Sequence, residues 1–92
     1  INPATGKIEA QDVEGQAKQV LSNIEALLQS QGSNFRRVVK ATVFLKEMAD
    51  FPKVNPIYET AFGGHKPARS TVAAAGLPLG ALIEIEVIVE MS

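Results

Sequence analysis

The stretch HKPARSTVAAAG, residues 65–76, places a charged side chain at the start of a segment that otherwise predicts a buried strand. Arg69 follows a proline and an alanine, and small, mostly apolar residues follow it. A guanidinium presents N–H donors in a rigid fork, so an arginine held at a strand mouth can bind a carboxylate through two parallel hydrogen bonds. The alternative is a half-solvated edge-strand arginine paired with a neighbouring glutamate. Thr71 and small alanines share its face, and these tight surroundings favour a binding role.

Carboxylates that could oppose or assist this arginine come from the last segment of the chain. In LIEIEVIVEM, residues 82–91, Glu84, Glu86 and Glu90 alternate with aliphatic residues, which predicts a strand with an apolar face and a face that carries the glutamates. Glutamates on an exposed strand face usually maintain solubility and prevent edge aggregation. That interpretation accounts well for Glu86 and Glu90.

The other polar and aromatic candidates favour structural interpretations. His65 is the only histidine and follows two glycines, where a solvated loop histidine is much commoner than a catalytic one. Asn55 fits a helix cap, and Tyr58 and Phe62 fit a core stripe. The sequence holds no Gly-rich phosphate loop, nucleotide fingerprint or metal-ligand cluster, so neither a cofactor nor a metal is expected.

Composition and charge exclude several classes of protein. The 92 residues are enough for one compact domain, and their 46% hydrophobic content is ordinary for a globular protein. Nine basic and ten acidic residues give a net charge of −1, which provides no general attraction to nucleic acid or to an acidic membrane surface. No cysteine is present, so thiolate chemistry is excluded. A domain this small buries a limited share of its surface, which favours oligomerisation.

The first half of the chain predicts a loop, a long helix and a strand. The pairs Asn-Pro and Thr-Gly in residues 2–6 predict a loop. From about Ala10, apolar residues recur at spacings of three and four, with Asp12 as a cap and Gly32 as a terminator. The β-branched run that follows predicts a strand from Val38 to Leu45. One face of this strand is expected to carry Val39, Ala41, Val43 and Leu45.

The second half predicts a helix and two strands. The helix is capped either at Asp50, with an irregular first turn, or at Asn55, because Pro56 fits poorly inside a helix. Strands are expected over Ala68–Ala75 and Leu82–Met91. The order helix, strand, helix, strand, strand predicts an α+β two-layer sandwich with two helices on one face of the sheet.

Four stretches together resemble the YjgF/Rid family, the reactive-intermediate deaminases, also called L-PSP proteins. They are INPATGKI, VVKATVFLKEMADFPKVNPIYETAF, KPARSTV and LPLGALIEIEVI, and they extend over essentially the whole chain. The resemblance implies a single YjgF/Rid domain over residues 1–92 that lacks the usual N-terminal strands, since family members begin well before the position of Ile1. It also implies a chorismate-mutase-like fold with a mixed sheet, assembled as a homotrimer with clefts between subunits.

The resemblance further implies an enzyme, a 2-iminobutanoate/2-iminopropanoate deaminase that converts reactive 2-imino acids to 2-oxo acids and ammonia without a cofactor. Arg69 matches the family arginine that binds the substrate carboxylate, and Glu84 matches the glutamate that positions or activates water. Asn55 matches an asparagine that lines the cleft, and Thr71 stands where many members have cysteine. The expected location is cytoplasmic or mitochondrial, and any transit peptide would precede Ile1.

Two alternatives remain open. Some relatives have been described as ribonucleases or translation inhibitors, but the charge balance, the single histidine and the lack of a basic aromatic strip argue against RNA as the partner. The second alternative is a non-catalytic module that binds small carboxylates in the same cleft, because binding requires Arg69 alone.

Overall fold

A long helix, α1, opens the part of the chain that the computed structural model describes, which is residues 12–90. It spans Val13–Ser30, and the Asp12 side chain accepts a hydrogen bond from the Gly15 N–H at 2.6 Å, as expected of an N-cap. Gly32 follows the helix end with a φ of +69°, a left-handed conformation that glycine adopts without a steric penalty. The predicted cap and terminator are therefore confirmed. The predicted loop at residues 2–6 lies outside the described residues.

Three strands form a mixed sheet in the order β2-β1-β3. The central strand β1, Val38–Leu45, pairs in parallel with β2, Ala68–Ala73, and antiparallel with β3, Ile83–Val89. β2 ends two residues before the predicted Ala75, and within one chain it is an exposed edge strand instead of a buried one. The small residues that suggested burial therefore lie on a surface of the isolated chain.

Helix α2 spans Phe51–Phe62, and its first turn contains Pro52. Of the two interpretations of this helix, the cap at Asn55 is wrong, because Asn55 lies in the second turn and Pro56 follows it inside the helix. Asp50 occupies the N-cap position but makes no side-chain cap bond. Pro56 forfeits the hydrogen bond to the carbonyl of Pro52, an interruption that the buried apolar side of the helix tolerates.

Both helices pack on the same face of the sheet and enclose the core. Alternation along β1 places Ala41, Val43 and Leu45 in this core as expected, but Val39 is 48% exposed while Val38 is 1% exposed. The reason is a register shift between β1 and β3 at Val38/Lys40, a bulge that reverses the alternation at the start of the strand. The core side chains are Val13, Ala17, Leu21, Leu28, Phe35, Val38, Ala41, Val43, Leu45, Val54, Tyr58, Phe62, Ile83 and Ile85.

Within residues 12–90, no layer covers the opposite face of the sheet, which is called the open face below. On β3, the aliphatic residues Ile83 and Ile85 face the helices, and Glu84 and Glu86 are exposed on the other side, as the alternation predicts. Val72 and Ile88 also remain exposed, at 41% and 59%. No helix within residues 12–90 is long and apolar enough to cross a membrane.

Candidate functional site

Arg69 projects from the edge strand toward helix α2. It pairs with Ala41 of β1, and Ala41 is buried on the helix side of the sheet. Paired residues of adjacent strands point to the same face, so the arginine is directed to that side. Its Nη1 donates a hydrogen bond to Asn55 Oδ1 at 2.6 Å. Its Cζ lies 4.8 Å from the centroid of the Tyr58 ring and 5.2 Å from that of the Phe51 ring.

The partners of Arg69 come from one side of α2. Phe51, Asn55 and Tyr58 are spaced at i, i+4 and i+7, so the helix presents them together. Asn55 Nδ2 donates to Glu59 Oε1 at 2.9 Å, one turn further along. Because Glu59 engages the amide nitrogen, the amide oxygen of Asn55 is the atom that faces the guanidinium. Among the described residues, Arg69 itself forms no ion pair.

Tyr58 lies beneath the guanidinium and within the core. Its side chain is 5% exposed, and its ring stacks on that of Phe62 with 4.4 Å between centroids. Its hydroxyl is buried with no hydrogen-bond partner in the described part of the chain. Burial raises the pKa of Tyr58 above its ordinary value of 10.0, and the positive charge of Arg69 partly opposes that rise. Tyr58 therefore stays neutral at physiological pH.

A cavity of about 440 Å³ opens beside Arg69, between the end of α2 and the start of β2. The loop that closes it is held in place because His65 Nε2 lies 2.8 Å from the carbonyl oxygen of Val38, to which it can donate. His65 is half-buried and holds this loop to the start of β1, so it is not the solvated histidine that the sequence favours. The cavity is lined by Tyr58, Glu59, Gly64, His65, Lys66, Pro67 and Arg69.

Thr71 and Glu84 occupy different positions relative to Arg69. Thr71 pairs with Val43 and therefore shares the helix-side face with the arginine, two residues further along β2. Glu84 pairs with Phe44, whose side chain points to the open face. The structure thus brings Arg69 and Asn55 into contact, leaves Thr71 on the same face, and puts Glu84 on the opposite face of the sheet, two strands away.

Phe51 and Tyr58 are the contacts of Arg69 that the sequence pattern did not reveal. Tyr58 belongs to the core, as the sequence predicts, and Phe51 packs against that core, but both rings also face the guanidinium. The signal that could have found them is the spacing F-x3-N-x2-Y, which groups two rings and an amide on one helix side. No cluster of side chains suited to holding a metal ion occurs in residues 12–90.

Comparison with known proteins places the chain in a family. Residues 1–91 match the family described as Endoribonuclease L-PSP. A RutC family protein of Pyrococcus horikoshii is 48% identical over 88 residues, which are 96% of this chain and 70% of the relative. The 2-iminobutanoate/2-iminopropanoate deaminase of Escherichia coli is 45% identical over 91 residues, again 96% of this chain and 70% of the relative.

Solved structures agree with the sequence comparison. A Yersinia pestis protein of unknown function from the Rid family superposes with a TM-score of 0.92 at 47% identity, and the match covers 97% of this chain and 71% of that one. The two-layer arrangement of helices on a mixed sheet is therefore the fold of these relatives. On this evidence the chain belongs to the L-PSP family, also known as the YjgF/Rid family.

Proposed function

We propose that this protein hydrolyses reactive 2-imino acids, namely 2-iminopropanoate and 2-iminobutanoate, to the 2-oxo acids and ammonia. The observation that carries the proposal is a guanidinium, Arg69, oriented by Asn55 beside a small cavity and without an ion-pair partner in the described chain. Relatives from Escherichia coli and mouse, at 45% and 43% identity, bear the name of this deaminase activity. A 2-imino acid carries the carboxylate that such an arginine can bind.

The reaction requires the protein mainly to position the substrate and the attacking water. One N–H of the guanidinium is directed to Asn55, so its other donors remain to bind the substrate carboxylate. Water then adds its oxygen to C2 while the imine nitrogen takes a proton, and the resulting amino alcohol expels ammonia and leaves the C=O group. A carboxylate such as that of Glu84 can orient the water and accept its proton. Because these imines also hydrolyse unaided, positioning and proton transfer are sufficient, and no cofactor is expected.

We propose that the site is shared between subunits of a homotrimer. Arg69 and Glu84 project from opposite faces of one sheet, so a single chain does not bring them together. A second copy that packs against the open face would bring its Arg69 to the Glu84 of the first. The exposed aliphatic residues of that face, Val72 and Ile88, also favour contact with another copy.

RNA cleavage and simple carboxylate binding are the rival functions. The family description names an endoribonuclease, but a net charge of −1 provides weak attraction to RNA, and His65 is engaged by a backbone carbonyl. A binding module would use Arg69 in the same way without turnover. Cytoplasmic or mitochondrial location is part of the proposal, since pyridoxal-phosphate enzymes that dehydrate serine and threonine generate these imines.

A coupled assay tests the proposal. A pyridoxal-phosphate serine dehydratase supplies 2-aminoacrylate, and the release of pyruvate and ammonia is followed with the full-length protein and without it. An increase in the rate of pyruvate and ammonia release in proportion to the concentration of the protein supports imine hydrolysis. A rate equal to the protein-free rate, together with tight binding of 2-oxobutanoate, would identify a binding module instead. Salt-sensitive RNA binding with cleavage would favour the ribonuclease function.

A further inference from the structure

Arg69 stands where a long side chain would normally be mobile. It is exposed on β2, and among the strands of residues 12–90 none pairs with the outer edge of β2. Its guanidinium nevertheless makes three contacts, with the rings of Phe51 and Tyr58 and with the amide oxygen of Asn55. All three contacts come from one side of α2, a helix whose other contacts anchor it in the core.

We propose that Phe51 and Tyr58 are positioning residues for the carboxylate anchor, because their rings hold the guanidinium of Arg69 at the sheet edge while Asn55 fixes its rotation. This inference rests on the proposed function and deepens it, since it assigns to one core ring and one half-buried ring a contribution to the affinity of the site for a 2-imino or 2-oxo acid. Neither residue is expected to contact the reacting atoms.

The energetics favour a role for the rings. A guanidinium within about 6 Å of an aromatic centroid is attracted to the π face, and one such contact is worth roughly a two- to thirty-fold change in an equilibrium. A ring also restricts an arginine without occupying its N–H donors, whereas a carboxylate partner would compete with the substrate for the same donors. A pair of rings and one amide therefore orient the fork and leave most donors unoccupied.

The hydroxyl of Tyr58 has no part in this arrangement. It is buried without a partner in residues 12–90, so the ring alone accounts for the contact with Arg69. Replacement by phenylalanine should preserve positioning, and replacement by leucine should abolish this contact. Burial keeps the pKa of the phenol above its usual range, and the ring consequently remains a neutral surface under the cation.

The test compares ring removal at the arginine with ring removal elsewhere in the same core. Phe51→Leu removes a half-buried ring that faces Arg69, and Phe35→Leu removes a more deeply buried ring that packs on Phe62 and does not touch the guanidinium. Calorimetric titration of the full-length protein with 2-oxobutanoate should show binding about two- to thirty-fold weaker for Phe51→Leu and unchanged for Phe35→Leu. A purely structural role predicts the reverse order, since Phe35→Leu loosens the core more.

The Tyr58 pair provides rescue by the conservative variant. Tyr58→Phe should bind 2-oxobutanoate within about twofold of wild type, and Tyr58→Leu should bind it at least as weakly as Phe51→Leu. Equal affinities for the wild type, Phe51→Leu and Tyr58→Leu would overturn the inference while leaving the proposed function intact. Weak binding of 2-oxobutanoate by Tyr58→Phe would also overturn the inference, because the affinity would then depend on the hydroxyl and not on the ring.

A second readout separates this inference from the function itself. In the NMR spectrum of the free protein, the Nε–H resonance of Arg69 should be shifted by the ring currents, and Phe51→Leu should move it toward that of the exposed Arg36. This result is expected even if the protein binds no 2-oxo acid, in which case the positioning stands and the proposed function fails. An Arg69 resonance that is insensitive to Phe51→Leu and to Tyr58→Leu would overturn the positioning.

Discussion

Arg69 suits carboxylate binding because its contacts orient the guanidinium and leave most of its N–H donors unoccupied within residues 12–90. Asn55 engages one N–H, and the aromatic rings under the guanidinium engage none. The sequence predicts an anchor role for Arg69, because a charged side chain at the start of a small-residue strand is unusual, and that role stays a prediction. The contact between Arg69 and Asn55 could not be predicted from the residue pattern, because an asparagine at this position favours an N-cap. Only the tertiary packing of α2 against β2 places the Asn55 amide beside the arginine.

At this scale, Glu84→Gln distinguishes an enzyme from a binding module. The substitution is nearly isosteric and removes a base, so turnover of the 2-imino acid should fall by roughly 100- to 10,000-fold, or to the uncatalysed rate, while 2-oxobutanoate still binds. The matched control is Glu86→Gln, which alters the next glutamate on the same face and should leave both properties unchanged. Coupled imine assays and calorimetry on both variants make the measurement. Unchanged turnover in Glu84→Gln would remove this glutamate from the mechanism.

Tyr58→Phe should stabilise the fold and alter its alkaline behaviour. The variant loses a buried hydroxyl without a described partner, so the free energy of unfolding at neutral pH should rise by about 1 kcal/mol. The folded-state pKa of Tyr58 is raised above 10.0, so the unfolded chain ionises first as the pH increases. Wild-type stability should therefore decline above about pH 10 more steeply than that of the variant. Urea unfolding at neutral and alkaline pH makes the comparison, and parallel declines would contradict it.

Two features of the secondary structure position the candidate site. Helix α2 packs against the edge strand β2, and the start of β3 is held at a fixed position. The periodicity of both helices, the Asp12 cap and the alternation of β3 could be predicted, because each is a local pattern. The bulge at the start of β1 could not be predicted, because a register shift depends on the pairing with β3 and leaves no mark in an unbroken β-branched run. The position of Pro56 inside α2 could not be predicted either, because tertiary packing overrides the poor helix propensity of proline.

At the element scale, Gln16 should prove important for the start of β3. Its Oε1 accepts a hydrogen bond from the backbone N–H of Leu82 at 2.7 Å, and its side chain is buried. Gln16→Leu leaves that N–H without this acceptor, so the free energy of unfolding should drop by about 1–3 kcal/mol. Gln19→Leu is the control, since the Gln19 side chain donates to Asn23 Oδ1 of the same helix, and the loss in the free energy of unfolding should be less than about 0.5 kcal/mol. Urea unfolding that gives equal losses for the two variants would contradict this role.

For the whole molecule, the sheet has a helix-covered face and an open face, and the candidate residues are divided between them. The α+β class and the family could be predicted from element order and from motifs that span the chain. The positions of Arg69 and Glu84 on opposite faces could not be predicted from the sequence. They depend on how β2 and β3 pair with the central strand, β2 in parallel and β3 antiparallel. Oligomerisation follows as an expectation from this division.

Subunit mixing tests the shared site. Sedimentation of the full-length protein should first give about three chains per particle. Arg69→Ala and Glu84→Gln are then unfolded, mixed in equal amounts and refolded together. If each site takes Arg69 from one subunit and Glu84 from another, every mixed trimer regains one intact site, and the mixture should recover about a quarter of the wild-type rate. Activity that stays at the level of the separate variants would mean that the two residues do not meet across subunits.

The proposed function depends on Arg69, whose guanidinium must bind the carboxylate of a 2-imino acid for hydrolysis to occur. The most direct measurement is the rate of 2-aminoacrylate-derived imine hydrolysis by Arg69→Ala in the coupled assay, beside Arg36→Ala, which removes an exposed arginine outside the site. The hydrolysis rate with Arg69→Ala should fall to the protein-free rate, because a lost bidentate charged contact weakens binding by at least ten- to a hundred-fold. The rate with Arg36→Ala should match that of wild type. Hydrolysis by Arg69→Ala at the wild-type rate would show that Arg69 does not bind the substrate carboxylate.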